Sequence, residues 1–137
     1  MTGFIQAVVK NTRKIEMLVK DSGDALVQNE LLAKDVSAGT VIPATSGTVR
    51  SEVEGICNQD ISSADALTQV PVIQIFEGDT FIADTTNNTN AAHNYQRMVL
   101  TDSKTVNNTG TDSANGIVEQ VEPYGAAADK KAIFKFV

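Results

Sequence analysis

The stretch AIFKFV, residues 132–137, sets the fold class. Ala132, Phe134 and Phe136 fall on one side of an extended chain and Ile133, Lys135 and Val137 on the other, the period-two pattern of a strand with one face buried. Working back toward the N-terminus, the apolar runs stay short and are separated by turn residues: GIVEQV from 116, RMVL from 97, TFIAD from 80, LTQVPVIQIF from 67, VEGIC from 53 and LLAKD from 31. That spacing predicts an all-β chain. Pro43, in GTVIPATSGT (39–48), has no N–H to give to a ladder and is expected on an edge strand or in a loop. DSGD (21–24) reads as a tight turn, and SSADAL (62–67) and NAAHN (90–94) each read as one short helical turn, the first with a Ser cap.

Residues 1–28 admit more than one reading. Phe4, Val8, Ile15, Leu18 and Val19 line one helical face, but Asn11-Thr12 interrupts it and β-branched residues are frequent, which favours two strands or an extended arm. The expected division is therefore an N-terminal arm or strand pair over 1–28 and a β-rich domain over 29–137.

The chain has 137 residues, enough for one core, and 42% of them are apolar. It has no Trp and only 5% aromatic residues, so the interior rests on Val, Ile, Leu and Ala. A net charge of −6 argues against nucleic acid as a partner, because phosphate binding needs clustered cations. Lys10, Arg13 and Lys14 form the densest basic group, suited to an acidic partner surface. Cys57 is alone, which rules out an intramolecular disulfide and fits synthesis in a reducing cytoplasm. The N-terminal apolar run carries its charges after it rather than before it and is not read as a secretory signal, and no run is long enough for a membrane helix.

No constellation for catalysis stands out. His93 is the sole imidazole and has no Ser or Cys close by in sequence, while Cys57 has no adjoining base and reads as a small buried side chain. TDSANG (111–116) lacks the alternating oxygens and closing Glu of a calcium loop. Glu77, Asp79 and Asp84 read as solvated loop carboxylates, and no phosphate-cradling glycine loop is present. The expectation is a non-enzyme without catalytic residues, cofactor or metal. Asn-Asn-Thr occurs at 87–89 and 107–109; the acceptor pattern for glycosylation carries meaning only in a secreted eukaryotic protein, and the alternative is turn chemistry at polar tips on either side of QRMVL. Asn87, Asn88, Asn107 and Asn108 are accordingly candidate loop contacts.

Four segments together, GTVIPATSGT (39–48), GICNQDISSADALTQVPVIQIFEGDTFIAD (55–84), AHNYQRMVLTDSKTVNNTGTD (92–112) and GIVEQVEPYGAAADKKAIFKFV (116–137), resemble the small capsid cement or decoration proteins of tailed bacteriophages. The pieces that carry the likeness are Ile42-Pro43-Ala44-Thr45, Gly55-Ile56, Val70 to Phe76, Phe81 to Thr85 and Met98 to Asp102, and it covers residues 29–137. The resemblance implies a compact β-tulip or barrel-like domain with long polar loops. It also implies a structural virion protein, made in the host cytoplasm, that binds the outer surface of an icosahedral capsid. There it would bridge neighbouring major capsid proteins and copies of itself, as a homotrimer in preference to a dimer, with no nucleic-acid or membrane partner. Residues 1 to about 20 are expected to grip those neighbours, with Phe4, Ile5, Val8, Lys10, Arg13 and Lys14 as candidate contacts. Two other classes remain open on the residues alone: another virion β module, such as a head-fibre base or tail component, and a carbohydrate- or cell-surface-binding β module. Against the last stands the scarcity of aromatic platforms, Tyr95 and Tyr124 being the only tyrosines.

Overall fold

The computed structural model describes residues 3–8, 14–21, 23–65, 68–76 and 78–137, with main chain alone at 6–8. Among these residues there are twelve strands in two sheets and no α-helix, so the chain is all-β. The first sheet comprises β1 (Ile5–Val8), β7 (Thr80–Thr85), β8 (Arg97–Met98), β9 (Leu100–Asp102), β10 (Thr105–Val106), β11 (Val118–Pro123) and β12 (Lys131–Phe136). Its order is β8-β11-β12-β7-β10-β9, with β1 sharing the same side of β7 as β10. The second comprises β2 (Ile15–Val19), β3 (Leu31–Asp35), β4 (Thr40–Pro43), β5 (Val53–Cys57) and β6 (Gln69–Ile73), in the order β2-β6-β5-β3-β4. A parallel bridge between Lys20 and Val41 joins the ends of β2 and β4 and leaves this sheet a nearly closed small barrel.

Side-chain alternation splits the interior into two cores. Leu32, Val41, Cys57, Val70 and Val72 point into the barrel, with Leu26 and Ile61 joined by a bridge across its end and Leu18 packed against them. Their sequence neighbours Leu31, Ala33, Ile56 and Ile73 point the opposite way and meet Phe4, Phe81, Ala83, Val118, Ala132 and Phe134 of the first sheet. β3 is consequently buried on both faces over its first three residues, which is why LLA reads as continuous rather than alternating. The strand that sets the fold class behaves as its pattern predicts: Ala132 and Phe134 are buried, and Phe136 is half-buried against the rings of Phe4 and Phe81 at centroid distances of 5.6 and 5.5 Å.

Gly55 permits the close packing of β5 on β6. A Cβ there would lie 2.3 Å from the Ile73 carbonyl oxygen and 2.6 Å from Val72 Cγ1, so any side chain would force the two strands apart. The ladder between β3 and β5 also shifts register here, between Leu32 and Ala33.

Several local expectations are revised. RMVL is two short strands broken at Val99, whose carbonyl accepts from Asn107 N–H at 2.9 Å. Of SSADAL, residues 62–65 form a turn, with Ser62 Oγ accepting from Ala64 N–H and the Ser62 carbonyl from Asp65 N–H, and Ala66 and Leu67 lie outside the described residues. NAAHN does contain a single 3-10 turn, Ala91–His93, capped by Asn90 Oδ1. Pro43 lies in β4 at the edge of its sheet, where its missing N–H breaks no ladder on the open side.

At the N-terminus the described residues follow the strand alternative and do not project as an arm: they are woven into both sheets, β1 pairing antiparallel with β7 and β2 with β6. Phe4 is fully buried, and its N–H donates to the Asn29 carbonyl at 2.7 Å.

Candidate functional site

Most of the side chains that could carry chemistry are occupied by structural work. Cys57 is buried in the barrel and its Sγ donates to the Gln59 carbonyl at 3.1 Å; burial pushes the thiol up to about 11, which suppresses the reactive thiolate. His93 is half-buried in the 3-10 turn; its main-chain N–H donates to the Asn90 carbonyl, while its imidazole Nδ1 is buried without a hydrogen-bond partner among the described residues. Asp79 and Asp84 are not the solvated carboxylates expected. Asp79 is buried and accepts from Phe76 N–H at 3.2 Å, while Asp84 is ion-paired with Lys131 and accepts from Gly3 N–H. Glu77 lies outside the described residues. In TDSANG the Asp112 carboxylate caps its own loop: Asn115 N–H and side-chain amide and Ala114 N–H bond to it and hold its pKa below the ordinary value. Asp35 does the same in the β3–β4 turn, held down by the Ser37 hydroxyl and the N–H groups of Ser37 and Ala38. No cluster of three metal-ligating side chains occurs among the described residues.

The two Asn-Asn-Thr tracts, far apart in sequence, lie against each other. Asn108 is buried; its Oδ1 accepts from Asn87 N–H at 2.8 Å and its amide donates to the carbonyls of Asn87 (3.0 Å) and Asn88 (3.2 Å). This removes Asn108 from the candidate contacts and makes it the clamp between the loops. Asn107 is half-buried and uses its Oδ1 on Thr109, whereas Asn87 and Asn88 remain exposed. Gln120, buried on β11, ties the adjoining loop down through its amide to the Asn90 carbonyl and Asn94 Oδ1, both at 2.9 Å.

Of the N-terminal candidates, Phe4 is withdrawn as a contact because the chain's own core consumes it. Ile5 is half-buried opposite Ile82, and Val8 pairs through its main chain with Thr80. Lys14 is exposed, with its ammonium 5.9 Å above the Phe76 ring, and Lys10 and Arg13 lie outside the described residues.

β2 presents what the sequence reading passed over. Its alternation is inverted relative to an ordinary edge: Leu18 faces the barrel, Glu16 accepts a bond from the Gln74 amide, and the solvent side carries Ile15, Met17 and Val19, exposed at 50%, 52% and 39%. The Lys14 carbonyl accepts from Gln74 N–H and Lys20 N–H donates to the Thr68 carbonyl, so even-numbered residues direct their main chain to β6 and Ile15 and Met17 direct theirs away from it. On that side β4 reaches only the Lys20 end, where Asp21 N–H meets the Val41 carbonyl. Beside Ile15 and Met17 no strand is paired among the described residues, which leaves an open edge with an apolar row along it. The missed signal was IEMLV itself, apolar at four of five positions where a one-sided strand needs only alternate ones.

Compared with known proteins, the chain matches no family model and no curated sequence. No helix among the described residues is long and apolar enough to cross a membrane.

Proposed function

We propose that this protein is a structural component of a phage virion that binds the outside of the icosahedral capsid and stabilises it by bridging neighbouring major capsid proteins. The observation that supports the reading is the open β2 edge with Ile15, Met17 and Val19 exposed beside it. A neighbouring strand added there would gain main-chain hydrogen bonds worth about 0.5–1.5 kcal/mol each and cover an apolar row. Such a joint is weak singly, but repeated over a shell it adds up, and binding the assembled shell in preference to free subunits shifts the equilibrium toward assembly. The resemblance over residues 29–137 supplies the partner class, and the β2 edge replaces the detached arm as the contact surface. Copies arranged as trimers would place three such edges around one axis.

The test is co-sedimentation of the purified protein with capsids assembled from the major capsid protein of the same genome. Saturable binding to capsids is expected, with loss of at least about tenfold in affinity for an Ile15→Lys, Met17→Lys double variant whose melting temperature is unchanged. Wild-type protein that stays with the soluble fraction, or a double variant that binds like wild type, defeats the reading.

A further inference from the structure

On an acidic chain, the cations are not spread evenly. Arg50, in a 3-10 turn before β5, Arg97 of β8 and Lys135 of β12 surround one cleft of about 530 Å³, and no acidic residue lines it among the described residues. Its apolar surface comes from Ile75, Phe76 and Phe136. Glu119 stands opposite both Arg97 and Lys135 in the sheet and is engaged by Lys135 at 2.9 Å, which leaves Arg50 and Arg97 without an ion pair among the described residues. The Arg50 guanidinium rests 5.9 Å over the Phe136 ring, and Lys14 stands at the same distance over Phe76, so positive charge and aromatic surface are combined twice around the cleft.

We propose that this cleft binds a short acidic peptide segment in which an apolar residue adjoins the carboxylate. Arg50 and Arg97 take the acid through charge-assisted hydrogen bonds, and Phe76 and Phe136 cover the apolar neighbour. The lining decides between anions. A bare phosphate would leave the phenylalanine surface uncovered, and an extended polyanion would meet the repulsion of a chain with net charge −6 beyond the cleft, whereas a short acidic segment satisfies both surfaces. The inference goes beyond the capsid reading, since the cleft is formed by other elements than the β2 edge.

The test is NMR titration of the isotope-labelled full chain with an acetylated, amidated hexapeptide of alternating Asp and Leu. Its Asn/Leu counterpart, inorganic phosphate and a single-stranded oligothymidylate serve as parallel probes. The Asp peptide is expected to shift the Arg50 and Arg97 side-chain N–H signals and the Phe76 and Phe136 amides, with affinity falling as salt is raised above about 0.1 M. Arg97→Gln is expected to weaken it about tenfold with an unchanged melting temperature, and Arg50→Gln serves as a second variant read in the same way. The proposal is overturned if the Asn peptide binds equally, if the shifts map elsewhere, if neither variant weakens binding, or if phosphate or oligothymidylate saturates the cleft at lower concentration than the peptide.

Discussion

At Cys57, burial has a consequence that can be measured. The thiol is raised from 9.0 to about 11 by desolvation, so the folded chain holds its proton more tightly than the unfolded chain. Below pH 9 both states are protonated and the contribution is whole; as pH climbs from 9 toward 11 the unfolded thiol ionises first and stability falls. Urea denaturation at pH 9 and pH 11 should show wild type losing about 2 kcal/mol more across that window than Cys57→Ala, at 1.36 kcal/mol per unit and with each thiol half-ionised at one end. Equal losses in the two proteins refute this account. Two residues earlier, Gly55→Ala places a methyl group against the Ile73 carbonyl and Val72, a clash that no rotamer relieves. We expect a loss of about 2–3 kcal/mol and a melting temperature lower by roughly 10 °C, read by calorimetry. The sequence announced a small buried Cys57, since it closes an apolar run and no base adjoins it. It could not announce the role of Gly55, which depends on a strand fourteen to eighteen residues away in the chain passing within van der Waals distance.

Elements differ in how much of them the sequence discloses. β12, with one face in the core, displays its alternation openly; β3 does not, because both its faces are buried, one in each core. The strand character of residues 15–19 was within reach, whereas the direction of its apolar face was not, since nothing local says that the first sheet stops short of it. The two polar tracts show the same limit. Asn and Thr signal turns, and that part was legible, yet the pairing of 87–88 with Asn108 is a long-range contact between segments of identical composition. It yields a contrast between adjacent residues. Asn108→Ala removes three hydrogen bonds from a buried clamp and should cost about 2–3 kcal/mol, with faster amide exchange at Asn87 in particular, because its N–H loses its acceptor. Asn107→Ala breaks only local bonds to Thr109 and should cost under about 1 kcal/mol. Similar exchange rates at Asn87 in the two variants would contradict the assignment of Asn108 as the clamp.

Across the whole molecule, the two cores are one cooperative unit, because β3 sends Leu31 into one and Leu32 into the other and the N-terminal strands reach both sheets. The N-terminal segment is accordingly structural before it is anything else. Phe4→Ala should cost about 3–5 kcal/mol, the range for emptying a buried phenylalanine site. Deleting residues 1–20 goes further: β7 loses β1 from one side, β6 loses β2, and the Lys20–Val41 joint that draws the barrel shut disappears. We expect the truncated chain to lack a cooperative thermal transition and to expose its apolar surface to dye, whereas the Ile15→Lys, Met17→Lys variant, altered only on the solvent side, melts as wild type does. This order of effects separates folding from docking. A truncated protein that fails to bind capsids would say nothing of contacts, and the point variants alone report on them. If the chain lacking residues 1–20 instead melted cooperatively within a few degrees of the full-length protein, β1 and β2 would be dispensable to the core, and the N-terminus would again be free to act as an arm.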